Sequence, residues 1–310
     1  MKIAVVGSGG QGIFFGTLLA NSGNDVTFIA RGKTLEALKT RGVELKSKTL
    51  GKIKLPAEAT DNPGEVGTVD LIMLCVKYYD VKAASEQMKP MISEDTMILP
   101  VINGIDVAEK VGKIVGLEHL ICGVSWVNTA VESPGVVNHG GVARLIFGEL
   151  EGGESSRVKR LESTLKDARI TAELSRDIGK EKWEKFTINS AISSVMALTR
   201  LPTGPLRGNP ETQALLRRAI EESVAVAEAY GHFYPEGFVD GVLKMFENYA
   251  PWSKAALLQD LEAGRRLELG ALTRALVRLG REKGVPIPLS DVVYAVLKPY
   301  EDGAVVVSRQ

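Results

Sequence analysis

The apolar run Ile3–Val6 stops at three glycines, Gly7, Gly9 and Gly12. Helical periodicity follows through Ile13, Phe14, Leu18 and Leu19. A buried strand, a G-x-G-x-x-G turn and a helix, in that order, are the unit that opens a dinucleotide-binding α/β sheet. Gly7 allows the tight turn, Gly9 lets backbone N–H groups approach a pyrophosphate, and Gly12 lets the helix pack close to the strand. The pyrophosphate then meets the positive end of the helix. In a chain with 32 glycines the spacing alone could be a plain glycine turn, so its place after a strand pattern is what gives it weight. The cofactor contacts expected from this segment are Gly7, Ser8, Gly9, Gly10, Gln11 and Gly12.

Strand and helix patterns alternate through the first half. Strands are expected at Ile3–Val6, Asp25–Ala30, Val69–Val76, Thr96–Val101, Leu120–Val127 and Val136–Gly148, with a hairpin over Val43–Leu55. Helices fall at Ile13–Ser22, Thr34–Arg41, Val81–Met91 and Val107–Val115. The alternation predicts a parallel sheet with helices on both faces. After about Ile178 only helical patterns remain: Glu181–Leu198, Glu211–Tyr230, Val239–Asn248, Lys254–Lys283 and Leu289–Tyr300. The expected fold is an N-terminal Rossmann-type parallel sheet domain, residues 1–177, followed by an all-helical C-terminal domain, residues 178–310. The tail 302–310 has little helical signal.

Lysine plus arginine equal aspartate plus glutamate at 38 each, so no bulk field recruits nucleic acid or an anionic membrane. No stretch approaches the roughly 20 apolar residues of a membrane span, and the apolar start is too short for a signal-peptide core. A cytoplasmic protein is expected. Cys75 and Cys122 lie in apolar runs and read as buried thiols; with His119, His139 and His232 scattered, no metal site is expected.

An NAD-selective site carries an acid at the end of the second strand. Here Arg31 stands there, with Lys33 two residues on. A guanidinium pairs bidentately with a 2′-phosphate, so Arg31 points to NADP; the alternative is a solvated loop arginine. Lys77 closes the strand ending at Val76 and is either a cofactor contact or a solvent-facing lysine. Asn103-Gly104 follows the next strand and is either a turn or a group that orients nicotinamide and substrate.

In the helical half, Lys185, Asn189 and Ser193 share one face at i, i+4 and i+8. Apolar neighbours at such a border lower a lysine's pKa and make it a better proton donor, unless the side chain snorkels. Glu268 stands in the apolar stripe Leu257, Leu261, Gly264, Leu272 of the expected helix Lys254–Lys283. A carboxylate there needs either a function or a partner, for which Arg265 is the candidate. Gln259, Asp260, Glu262 and Arg266 read as solvated positions.

Taken together, Gly7-Ser-Gly-Gly-Gln-Gly12, Arg31, Val76-Lys77, Asn103-Gly104, Trp183-Glu-Lys185 with Asn189, Leu258-Gln-Asp260 with Glu268, and Gly284-Val-Pro-Ile-Pro288 make a chain that resembles the ketopantoate reductases. The resemblance covers nearly its whole length. It implies NADPH-dependent reduction of a small-molecule 2-oxo acid, 2-dehydropantoate (ketopantoate), to pantoate for coenzyme A synthesis, by a homodimer. It implies Lys185 as proton donor and Glu268 as the second catalytic residue. Asn103, Asn189 and Ser193 would bind substrate, and Arg31, Lys77 and Asn103 would contact NADPH. The chain departs from the family pattern at Ser193, Ala256, Gly270, Thr273 and Arg274. Those departures leave open another 2-oxo acid or an opine-type substrate. A non-enzymatic NADPH sensor is the third reading, and Lys185 and Glu268 argue against it.

Overall fold

The computed structural model describes residues 1–304; the rest of the 302–310 tail lies outside the described residues. The chain divides into two compact units, Met1–Lys182 and Trp183 onward.

The first unit contains β1 (Lys2–Val6), α1 (Gly10–Asn21), β2 (Asp25–Ile29), α2 (Gly32–Arg41), β3 (Val43–Ser47), β4 (Gly51–Leu55), β5 (Glu58–Thr60), β6 (Leu71–Leu74), α3 (Val81–Gln87), β7 (Met97–Pro100), α4 (Val107–Val115), β8 (Ile121–Ser133), β9 (Val136–Glu149), α5 (Ser156–Asp167) and β10 (Ala172–Leu174). One sheet is wholly parallel, in the order β5-β2-β1-β6-β7. β6 and β7 are apolar throughout and β1 is apolar after Lys2; Ile3, Leu71, Ile72 and Leu99 are all fully buried. Both faces of such a sheet are covered, so polar alternation is lost. The register aligns Thr60, Ile29, Val6, Leu74 and Pro100 across all five strands. The residues that follow them therefore leave the sheet along one carboxyl edge. The strand order reverses between β1 and β6, the switch point at which ligands enter open α/β sheets.

The parallel sheet expected from the alternation is present, but the last two strands of the series are not in it. β8 and β9 pair antiparallel and belong to a second sheet, ordered β10-β9-β3-β4 with β8 on β9. Only Pro134 and Gly135 separate them, and parallel neighbours need a crossover of a dozen residues or more. The patterns at Leu120–Val127 and Val136–Gly148 were strands, in a hairpin rather than a parallel ladder. Residues 151–177, unassigned from sequence, hold α5 and β10; the Ser155 side chain caps α5 by accepting from Val158 N–H.

The second unit is helical: α6 (Ile178–Thr199, which begins before the division), α7 (Thr203–Arg207), α8 (Pro210–Ala229), α9 (Phe238–Glu247), α10 (Ala256–Glu262), α11 (Thr273–Lys283) and α12 (Pro288–Leu297). The single helix expected over Lys254–Lys283 is two helices. Gly264 takes the left-handed conformation at φ +62. Arg265 N–H bonds to Asp260 O at 2.8 Å and Gly264 N–H to Leu261 O at 3.2 Å, a Schellman stop. The apolar stripe that seemed to run through Glu268 is therefore not one helix face. Among the described residues no helix is long and apolar enough to cross a membrane, and no group of three or more His, Cys, Asp and Glu could hold a metal ion.

Candidate active site

In the first unit, the glycine turn leaves β1 at the switch point. Gly7 N–H bonds to Ile29 O at 3.2 Å and Cys75 N–H to Val6 O at 2.7 Å, tying β1 to its two neighbours. The Ser8 hydroxyl donates to Ile29 O at 3.2 Å. Gly7 has φ +97, and a Cβ there would lie 2.8 Å from the Cys75 backbone. A Cβ on Gly12 would lie 2.0 Å from Gly7 O, so only glycine lets α1 start this close to β1. A Cβ on Gly9 would meet nothing within 4 Å: that position faces open space. Gly10, Gln11 and Gly12 form the first turn of α1, which has no side-chain cap and no acidic residue. Gln11 Oε1 is buried with no hydrogen-bond partner in the described residues. Gly10 backs onto Thr129, whose hydroxyl a Cβ would approach to 2.7 Å.

A cleft of about 290 Å³ opens at this edge. Gly7, Ser8, Gly9, Arg31 and Lys77 line it; of the other residues expected to contact a cofactor, Gly10, Gln11, Gly12 and Asn103 are not in its lining. Thr34, Asp61, Asp80 and Gln87 line it too and carried no sequence signal. Asp61 follows a strand of only three residues, too short to show periodicity. Cys75 is half-buried at the cleft, and burial pushes its thiol up to about 12, which keeps it protonated at neutral pH; Cys122 is buried and raised to about 11. Asn103 follows β7 along the same carboxyl edge. The turns carrying Lys77 and Asn103 are joined by a second cluster. Tyr78 donates its hydroxyl to Asp106 Oδ1 at 2.8 Å, and Lys110 Nζ donates to that phenol at 2.5 Å.

In the second unit, α6 presents Lys185, Asn189 and Ser193. Burial lowers the Lys185 ammonium to about 8, and the negative charge of Glu268 works against that fall. The structure thus brings Glu268 near Lys185, though by a route the sequence reading did not foresee. Glu268 precedes a short 3₁₀ turn, Leu269–Ala271, and its neighbours Leu267 and Leu269 are buried with Ala197, Leu257 and Leu261. That packing fixes the backbone and leaves the carboxylate half-buried. Arg265 is not its partner. Arg265 Nε donates to Asp260 Oδ1 at 2.7 Å, and Asp260 is buried rather than solvated. Glu262 is held by Lys254 at 2.8 Å.

Ser193 is buried, and its hydroxyl donates to Asn189 Oδ1 at 3.0 Å. Thr273 is buried with its hydroxyl 2.9 Å from that of Ser194, and Arg274 pairs with Glu301 at 3.1 Å.

A five-stranded parallel sheet in this order, with a glycine turn and a cleft at its switch point and a helical unit after it, defines an α/β protein of the Rossmann type. The family described as ketopantoate reductase PanE/ApbA matches residues 3–152, and its C-terminal part, ketopantoate reductase PanE/ApbA C terminal, matches residues 177–301. The uncharacterized oxidoreductase YkpB of Bacillus subtilis is 27% identical, over 97% of this chain and 99% of its own. The 2-dehydropantoate 2-reductase of Mesorhizobium japonicum is 28% identical, over 96% and 97%. Among solved structures, the 2-dehydropantoate 2-reductase from Geobacter metallireducens superposes with a TM-score of 0.91 at 29% identity, covering 96% of this chain and 99% of that one. The chain belongs to the ketopantoate reductase family of oxidoreductases.

Proposed function

We propose that this chain reduces a 2-oxo acid with NADPH, ketopantoate being the first substrate to test and pantoate its product. The observation that carries the reading is Lys185: its ammonium is lowered to about 8 by burial, on the helix face it shares with Asn189. An ammonium at that value is still charged at neutral pH and gives up its proton more readily than an ordinary lysine.

The first unit supplies a fitting cradle. Gly9 leaves open space and the first turn of α1 leaves its N–H groups uncapped, which suits a pyrophosphate. Ser8, Gly10 and Gln11 belong to that cradle, with Gly7 and Gly12 shaping it. Arg31 would hold the 2′-phosphate, and Lys77 and Asn103 would meet the cofactor farther along the edge. NADPH supplies the hydride. Reduction of the substrate's carbonyl carbon would leave the former C=O electron pair on its oxygen. Lys185 Nζ donates its proton to that oxygen and is left as a neutral amine, which balances the step. Glu268 keeps the ammonium charged before the step and accepts from substrate hydroxyls. Asn189 donates its amide N–H groups to the substrate carboxylate, Ser193 supports it, and Asn103 would also face the substrate.

Steady-state kcat/KM for ketopantoate and a panel of 2-oxo acids tests this. Ketopantoate is expected to exceed pyruvate by at least about a hundredfold, the scale set by pocket complementarity. A value no better than pyruvate's would reject ketopantoate as substrate. One observation favours a different 2-oxo acid: Thr273 and Arg274 are held by Ser194 and Glu301, which leaves fewer polar groups for a hydroxylated substrate near Glu268. The same panel separates the two.

A further inference from the structure

Arg31 and Asp61 line the same cleft with opposite charges, yet they do not pair with each other. Within the described residues neither side chain has an ion pair or hydrogen bond elsewhere. The sheet explains their placement. β5 pairs with β2 in parallel register, Ile29 beside Thr60, so Asp61 leaves its strand next to Ala30, one residue before Arg31. Ala30 N–H bonds to Thr60 O at 3.0 Å, which holds the two strand ends together. Unpaired and lining one cleft, they are available to a ligand that has something for each.

We propose that Asp61 sets the choice between the two nicotinamide dinucleotides, and that this chain accepts NADH as well as NADPH. The inference rests on the cofactor reading above. The 2′-phosphate of NADPH is an acceptor with nearly two negative charges: Arg31 attracts it and Asp61 repels it. The 2′-hydroxyl of NADH is a donor: the Asp61 carboxylate accepts from it, as an acid at the end of the second strand does in NAD-selective sheets. Here that acid comes from the neighbouring strand, so a search of the second strand's end alone finds only Arg31. The two side chains oppose each other, and neither nucleotide is strongly excluded.

Dissociation constants for NADPH and NADH, from nicotinamide fluorescence on titrating the intact protein, test this without turnover. In the parent, the two are expected within about thirtyfold of each other. Asp61→Asn keeps the shape, sits at an exposed position and removes the charge. It should tighten NADPH and weaken NADH, raising the NADPH/NADH preference about fivefold, the scale of one screened charge interaction. Arg31→Ala should move the preference the other way. Binding of both nucleotides with a ratio unchanged in Asp61→Asn overturns the role of Asp61 and leaves the cofactor reading intact. Failure of the parent to bind either nucleotide overturns both.

Discussion

The Ser193 hydroxyl donates to Asn189 Oδ1 at 3.0 Å, one turn back along α6. The bond occupies the carbonyl oxygen of Asn189 and leaves its NH₂ as the donor end, the end an anionic substrate needs. Ser193 is buried, so in the proposed site its role is to position Asn189. Ser193→Ala is expected to raise KM for the oxo acid about three- to tenfold, the size of one orienting hydrogen bond, with kcat within about twofold. An unchanged KM would remove Ser193 from the site.

Lys185→Ala is expected to lower kcat about 10²- to 10⁴-fold, the range for a lost general acid. Nucleotide affinity, measured by fluorescence, should stay within about threefold, because Lys185 is proposed to meet the substrate's oxygen. Turnover that drops only a few-fold would mean the proton comes from elsewhere.

The proposed reduction needs Lys185 protonated, and burial lowers that group from 10.5 to about 8. The kcat/KM profile for reduction should be flat below pH 8 and fall tenfold per unit above it, while the reverse oxidation rises over the same range. The Glu268 charge raises the Lys185 pKa. Glu268→Gln removes it, so the limb should move to lower pH, and a limb that moves upward or stays would refute the coupling.

Two glycines three residues apart should fail in different ways. An alanine Cβ at Gly9 meets nothing within 4 Å, so Gly9→Ala should leave unfolding free energy within about 1 kcal/mol while weakening nucleotide binding at least about tenfold. At Gly12 the Cβ would sit 2.0 Å from Gly7 O, so Gly12→Ala should destabilise by about 1–3 kcal/mol or more. Urea unfolding beside a fluorescence titration separates the two; a Gly9→Ala protein that binds nucleotide normally would contradict the cradle.

Much of the first unit was legible because its signals are local. A strand, a glycine turn and a helix are written within the first 21 residues, and the buried strands at Leu71–Leu74 and Met97–Pro100 read as unbroken apolar runs. Local signals do not say which strands pair. The hairpin β8–β9 joined a second sheet, and Asp61 was hidden because β5 is three residues long. In the helical unit the periodicity of residues 254–283 continued through a real stop, since Leu257, Leu261 and Leu272 are buried on either side of Gly264.

By itself the amino-acid order determined an α/β unit with a glycine-lined turn, a helical unit after it, and the lysine face Lys185, Asn189, Ser193. Those follow from backbone permissiveness at glycine and from the 3.6-residue period, which act between near neighbours. Only the tertiary structure decided that Asp260 takes Arg265, that Glu268 comes to Lys185, and that Arg31 shares its cleft with Asp61. Charge pairing depends on distance through space: packing between segments far apart in the chain sets the last two of these, and the helix stop at Gly264 sets the first.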